Sequence, residues 1–356
     1  MTAENRLKEL LATIKPVDET FAGVAWGRLD SLTKPPRSLG RLEELAARVA
    51  TIQKNDHPVA SPSAIVLMAG DHGVAAEGVS LYPQEVTVQM VANFSSGGAA
   101  INQLARHAGA QLVLVDVGVA GDTSAFAGVR QAKVAAGTAN MAAGPAMTRE
   151  QAAEAVLVGV DVARELIADG VRILGTGEMG IGNTTAAAAL TAALTGAGVG
   201  AVVGRGTGLD DEGVSLKTAV IERALSINSI DPADPLGVLA AVGGLEIAGM
   251  VGVMLGAAAG CVCAVSDGFI SGAATLVATH LSPESEGYFF PSHRSLEPGH
   301  SIVLTALGAE PVLQFEMRLG EGTGAALAMS IIEASCQVMS GMATFAEAGV
   351  TGGAES

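Results

Sequence analysis

A chain of 356 residues, 49% hydrophobic but only 3% aromatic and carrying 46 glycines, is long enough for one large core with a satellite and is suited to close backbone packing. Its 20 basic residues against 36 acidic ones leave a net charge of −16, which argues against nucleic acid as a partner because no Lys/Arg run reverses it locally. The three cysteines have neither metal nor disulfide spacing, so the reading is a reduced, cytoplasmic protein that holds no metal.

The opening "MTAENRLKELLATIKP" patterns as a charged amphipathic helix over Glu4–Ile14, without the apolar centre of a signal peptide. A second helical pattern covers Leu39–Gln53 and follows the prolines of "TKPPRSLGRLEEL". Strand-like apolar runs then recur, each followed by a glycine-containing loop and a helical pattern: "AIVLMAG" from Ala64, "QLVLVDVG" from Gln111, "VRILGTG" from Val171, "CVCAVSDG" from Cys261 and "SIVLTALG" from Ser301. This alternation predicts a doubly wound, mostly parallel α/β sheet of the Rossmann-like kind, with its chemistry in the loops at the strand C-termini. The uncharged stretch Ile247–Val265 is as long as a membrane span, but it is flanked by Glu246 and Asp267 rather than by Lys/Arg. It reads as a buried helix running into a buried strand, and no membrane partner is expected. After Gly324 a long helical pattern closes the chain. The expected division is a large α/β domain over 60–325 and a small helical domain built from 1–59 with 326–356.

Four segments can carry chemistry. In "GTGEMGIGNTT", Gly175, Gly177 and Gly180 match G-x-G-x-x-G after a strand, which raises an NAD-dependent oxidoreductase. That reading lacks its ribose-binding acid, since nothing acidic lies between Glu178 and Asp210. What survives is a glycine turn on a helix N-terminus, able to take one phosphate or to be a bare structural turn. The second glycine loop, "VVGRGTGLDDEGVSLK", lets the backbone approach a ligand at Gly204 and Gly206, and Lys217 is a possible point charge for phosphate or a plain surface lysine. Asp71 and His72 at a strand end read as structural caps ahead of an acid/base pair or metal ligands, since a single His without further ligands at suitable spacing is weak evidence for metal, while Tyr82, Pro83, Gln89 and Met90 in "SLYPQEVTVQM" suit either a flat apolar slot or ordinary core. In "MRLGEGTGAALAM", Glu321 stands between two glycines before a helix. It reads as a helix-terminus charge, a polar loop residue, or a carboxylate held at a strand edge to face Glu178 in the other loop.

The strings "KPPRSLGRLEELA", "AGDHGVAAEGVS", "GTGEMGIGNTTAAAAL", "GGLEIAGMVGVMLGAA", "DGFISGAA", "SHRSLEPGH" and "MRLGEGTGAALAM" together resemble the nicotinate-nucleotide:dimethylbenzimidazole phosphoribosyltransferases, in order from about Lys34 to Met329. The resemblance implies transfer of a 5-phosphoribosyl group from nicotinate mononucleotide to 5,6-dimethylbenzimidazole, giving nicotinate and α-ribazole 5′-phosphate for the cobalamin nucleotide loop. It implies Glu321 as catalytic carboxylate, Glu178 as a second one, Gly180 and Lys217 at the phosphate, and Ser292 near the nucleotide. A base pocket is implied around Tyr82, Pro83, Met90 and Leu319, with Gln89 or Met90 meeting the ring. Two small-molecule substrates, no cofactor and a homodimer complete what it implies.

Overall fold

The computed structural model describes residues 1–351 apart from Thr207. Its centre is a six-stranded sheet of β1 (Ser63–Gly70), β2 (Gln111–Gly118), β3 (Val129–Gln131), β4 (Ile173–Met179), β5 (Cys263–Ser266) and β6 (Phe289–Pro291). The spatial order is β3-β2-β1-β4-β5-β6, and every pairing is parallel. All eight residues of β1 are buried, as expected for a strand with helices on both faces. The winding reverses between β1 and β4, so the crevice for a ligand opens beyond their C-terminal ends. Register places Met68 beside Glu178 there. The same edge delivers Asp71 and His72 after β1, Asp267 after β5, and Ser292 and His293 after β6.

The apolar stretch Ile247–Val265 becomes the helix Leu245–Ala259 followed by β5, and nearly all of it is buried. This helix lies against Arg149–Ala168 with almost no side-chain spacer, since a methyl group on Gly252 would lie 2.8 Å from the carbonyl carbon of Val156. Glycine and alanine here substitute backbone contact for the aromatic bulk that the composition lacks. No helix among the described residues is long and apolar enough to cross a membrane.

Two expectations are corrected. "SIVLTALG" is not a strand: it lies in the helix Pro298–Ala306, which Pro298 initiates and which buries Gly299, His300, Val303 and Leu304 at helical spacing. The strand at that edge of the sheet is the short β6. Cys261 and Cys263 do not share a strand, because Cys261 has φ 54 in the turn before β5. Of the segments expected to form the small helical domain, Ala22–Ser31, Arg41–Gln53 and the far half of Thr323–Gly341 share a second buried cluster that includes Leu29, Leu32, Ala47 and Met339. The first helix, Ala3–Leu11, contributes Leu7 and Leu10 to the main core, as Arg41–Gln53 contributes Leu45, Val49 and Ile52, and it packs on Arg149–Ala168.

Candidate active site

A cavity of about 480 Å³ fills the crevice beyond β4 and β5. One wall is acidic. Glu178 ends β4, and its carboxylate accepts from the backbone N–H of Glu321 at 3.3 Å and from the Asn183 side-chain amide. The Gly320–Glu321–Gly322 turn folds over it with φ of 84°, 64° and 91° at three successive residues. Left-handed backbone is cheap for the two glycines, whereas at Glu321 it costs about 1–3 kcal/mol and needs surrounding structure to hold it. Two constraints hold it. Gly320 leaves no room for a side chain above the Glu178 carboxylate, and a methyl on Gly177 would lie 2.8 Å from the Glu321 carbonyl carbon.

Asp267 is the third acid. Its oxygens accept from the N–H groups of Gly322 at 3.1 Å, Gly324 at 2.7 Å and Ala325 at 3.0 Å, which makes it the cap of the helix Thr323–Gly341. The dipole of that helix is therefore answered by Asp267, leaving the Glu321 carboxylate to turn elsewhere. One Glu321 oxygen lies 3.4 Å from the backbone N of Ile101, at the N-terminus of Ala100–His107, and the residue is 8% exposed on the cavity wall. Burial raises all three acids: Glu178 to about 8, with the charges of Asp267 and Glu246 adding to it, and Asp267 to about 6 against its backbone N–H bonds. Glu321 is raised by burial, against the bond from the Ile101 N–H, with a smaller contribution from the charge of Asp267.

Beside the acids the wall is cationic. The turn Gly180–Gly182 leads into the helix Asn183–Thr195, whose first residues line the cavity. Lys217 donates to the Thr184 hydroxyl at 2.7 Å and is only 1% exposed. Among the described residues it forms no ion pair, and burial lowers its ammonium to about 8, with Glu297 opposing the shift. A buried lysine that stays charged needs an anion, and a helix N-terminus beside it is an anion site. Gly206 lies against it, with a methyl there 3.3 Å from the Lys217 ammonium. Arg318 reaches over from the acidic loop to donate to the Gly206 carbonyl at 3.2 Å.

The rest of the wall is largely apolar, with Val79, Tyr82, Val86, Met90, Met179 and Leu319. Val86 and Met90 are one turn apart on the helix Val86–Ser95, which puts Met90 on the wall and leaves Gln89 exposed and outside the lining. Of the residues singled out in the sequence, Glu321, Glu178, Gly180, Gly206, Tyr82, Met90 and Leu319 line this one cavity. Pro83 and Gln89 are exposed and are not among the lining residues. Lys217 reaches it through Thr184, and Gly204 gives the Glu297 carboxylate room, with a methyl there 2.9 Å from its carboxyl carbon. Ser292 is fully buried behind the wall, donating to the Asp267 carbonyl at 2.8 Å and lying 2.9 Å from His293 Nδ1. Sequence reasoning missed Asp267, Asn183, Thr184, Arg318 and Glu297 as wall residues. Asp267 alone carried a usable mark, an acid closing a buried apolar strand. The others depend on chain crossings. Among the described residues no group of three His, Cys, Asp or Glu is arranged to hold a metal.

The sheet order and a cavity at its switch point define a doubly wound α/β protein with a small-molecule site at the strand C-termini. The family model described as Phosphoribosyltransferase matches residues 14–350. The nicotinate-nucleotide–dimethylbenzimidazole phosphoribosyltransferase of Chloroflexus aggregans is 53% identical over 345 residues, covering 97% of this chain and 98% of that one. The enzyme of the same name from Geobacter metallireducens is 52% identical over 347 residues, covering 98% of each. The crystal structure of CobT from Thermus thermophilus superposes with a TM-score of 0.90 at 49% identity, covering 94% of this chain and 100% of that chain. The chain belongs to the nicotinate-nucleotide:dimethylbenzimidazole phosphoribosyltransferase family of enzymes.

Proposed function

We propose that this cavity transfers the 5-phosphoribosyl group of nicotinate mononucleotide to 5,6-dimethylbenzimidazole with inversion at the anomeric carbon, Glu321 serving as general base. The observation that carries the reading is one cavity lined by a cluster of carboxylates, an apolar wall and a helix N-terminus, with Lys217, which forms no ion pair among the described residues, buried behind Thr184 at that terminus. The phosphate takes the cationic wall, at Gly180–Thr184, Gly206 and Lys217. The benzimidazole lies in the slot by Tyr82, Met90 and Leu319, with Pro83 and Gln89 shaping its outer edge. Ser292 and Gly204 act through the residues they support, Asp267 with His293 and Glu297 respectively.

The chemistry needs one base and no general acid. The pyridinium nitrogen of nicotinate mononucleotide already carries the positive charge, so the C1′–N bond breaks with its electron pair leaving on nicotinate. The unprotonated benzimidazole nitrogen attacks C1′ from the other face, and the proton on the second ring nitrogen passes to Glu321. Burial makes that carboxylate a stronger base than an exposed one. Glu178, raised to about 8, holds its proton in the empty cavity at neutral pH. A cationic nucleotide and the oxocarbenium character at C1′ favour its ionised form, which then stabilises the developing charge. A homodimer working in the cytoplasm is part of the same proposal, and light scattering on the purified protein tests the dimer.

The test is incubation with nicotinate mononucleotide and dimethylbenzimidazole, following nicotinate and α-ribazole phosphate by chromatography. Glu321→Gln should lower kcat by about 10²–10⁴-fold while leaving nucleotide affinity near wild type. Equal activity in the variant would leave Glu321 as an acceptor for the Ile101 N–H and remove it from the mechanism.

A further inference from the structure

Directly beneath the Gly180–Gly182 turn lies a buried pair that the reaction does not use. His72, 1% exposed, and Glu246, fully buried, meet at 2.6 Å between Nε2 and Oε1. Glu246 stands in the first turn of Leu245–Ala259, where the helix dipole favours a carboxylate. His72 comes from the end of β1 and the glycine turn from the end of β4, so three elements meet at the switch point. The glycines around the pair are cut to its shape. A methyl on Gly180 would lie 3.3 Å from both Cδ2 and Nε2 of the imidazole, one on Gly182 3.2 Å from the His72 Cβ, and one on Gly244 3.0 Å from His72 Nε2 and 2.6 Å from Glu246 Oε2. The turn is also held by the Thr87 hydroxyl, which accepts from the Ile181 N–H at 3.1 Å.

We propose that His72, held by Glu246, is a positioning residue for nucleotide binding: it is the floor on which the Gly180–Gly182 turn rests, and it sets the aim of the helix N-terminus at the phosphate. This rests on the reading of that turn as the phosphate site. His72 touches neither base nor ribose in this arrangement, so its loss acts on nucleotide affinity and spares the chemical step. Without the imidazole the turn has a void beneath it and the N–H groups at the start of Asn183–Thr195 lose their alignment.

The test measures affinity for nicotinate mononucleotide and for inorganic phosphate by calorimetry, together with KM for each substrate and kcat, in His72→Ala, Gly244→Ala and Lys217→Ala. The three atoms nearest a methyl on Gly244 all belong to this pair, so Gly244→Ala displaces it without removing it. His72→Ala and Gly244→Ala should each weaken nucleotide and phosphate binding about tenfold, the worth of one misaligned hydrogen bond to a charged group, with kcat and the KM for the base within about twofold of wild type. Phosphate affinity unchanged in His72→Ala but lost in Lys217→Ala would overturn the floor and leave the phosphate site standing. Affinity unchanged in all three would remove the phosphate site itself. If circular dichroism shows His72→Ala unfolded, Gly244→Ala decides, and wild-type affinity there overturns the proposal.

Discussion

Glu178 is a carboxyl whose burial the folded protein has to sustain, and replacing it with glutamine should make the empty protein more stable in a pH-dependent way. In the unfolded chain it ionises around 4.5, in the fold around 8. Below about 4.5 the group is protonated in both states and contributes nothing to the pH dependence. Between the two values only the unfolded chain releases its proton, so this residue's contribution falls as pH rises, and it levels off above about 8. At about 1.4 kcal/mol per pH unit the loss accumulates to about 5 kcal/mol, a large part of a domain's total stability. Glu178→Gln cannot ionise, and its side chain keeps the shape and an oxygen for the Glu321 N–H. Urea unfolding of both proteins at about pH 5 and about pH 9, read by circular dichroism, isolates the effect as a difference of differences. The variant's advantage should grow by about 4 kcal/mol between the two conditions, since part of the loss has already accrued at about pH 5. An advantage that does not change with pH would mean that Glu178 titrates as an ordinary carboxyl, and the account of the acidic wall would be wrong. A variant less stable than wild type at the higher pH would mean that the bonds from Asn183 and the Glu321 N–H outweigh desolvation.

Two further substitutions test how Glu321 is placed. Gly177→Ala adds one methyl inside β4 against the backbone of Glu321, so it should cost about 1–3 kcal/mol in urea unfolding and lower kcat at least tenfold, with nucleotide affinity retained. Wild-type kcat in that variant would show that the turn tolerates displacement. Asp267→Asn removes the charge and one acceptor from the cap of Thr323–Gly341, so the melting temperature should fall by an amount equivalent to about 1–3 kcal/mol and kcat should fall more than nucleotide affinity. An unchanged melting temperature would refute the cap.

The long buried runs were legible because each is a local pattern: "AIVLMAG", "QLVLVDVG" and the apolar stretch from Ile247 declare strands or a buried helix by hydrophobicity alone. "SIVLTALG" defeated that logic, because a short apolar run carries no reliable period and the proline three residues before it decided for a helix. The short β3 and β6 have too few residues to show any period. Glycine turns were equally visible as turns, but the sequence left their purpose open. A lysine on a helix is compatible with plain surface exposure, and only the packing of Asn183–Thr195 and the Gly206 loop around Lys217 makes it a buried cation.

Glu321 separates the two kinds of information. By itself the sequence determined that a glutamate lies between two glycines before a helix, and that a second acid closes a strand at Glu178, because spacing and residue type are local properties. What surrounds Glu321 was decided in three dimensions. Asp267, 54 positions earlier in the chain than Glu321, takes the helix terminus, while β4 brings Glu178 and Gly177 under the turn and fixes its left-handed backbone. Those partners meet only when the parallel sheet closes, since the strand order places distant segments side by side and their protonation follows from the water that closure removes.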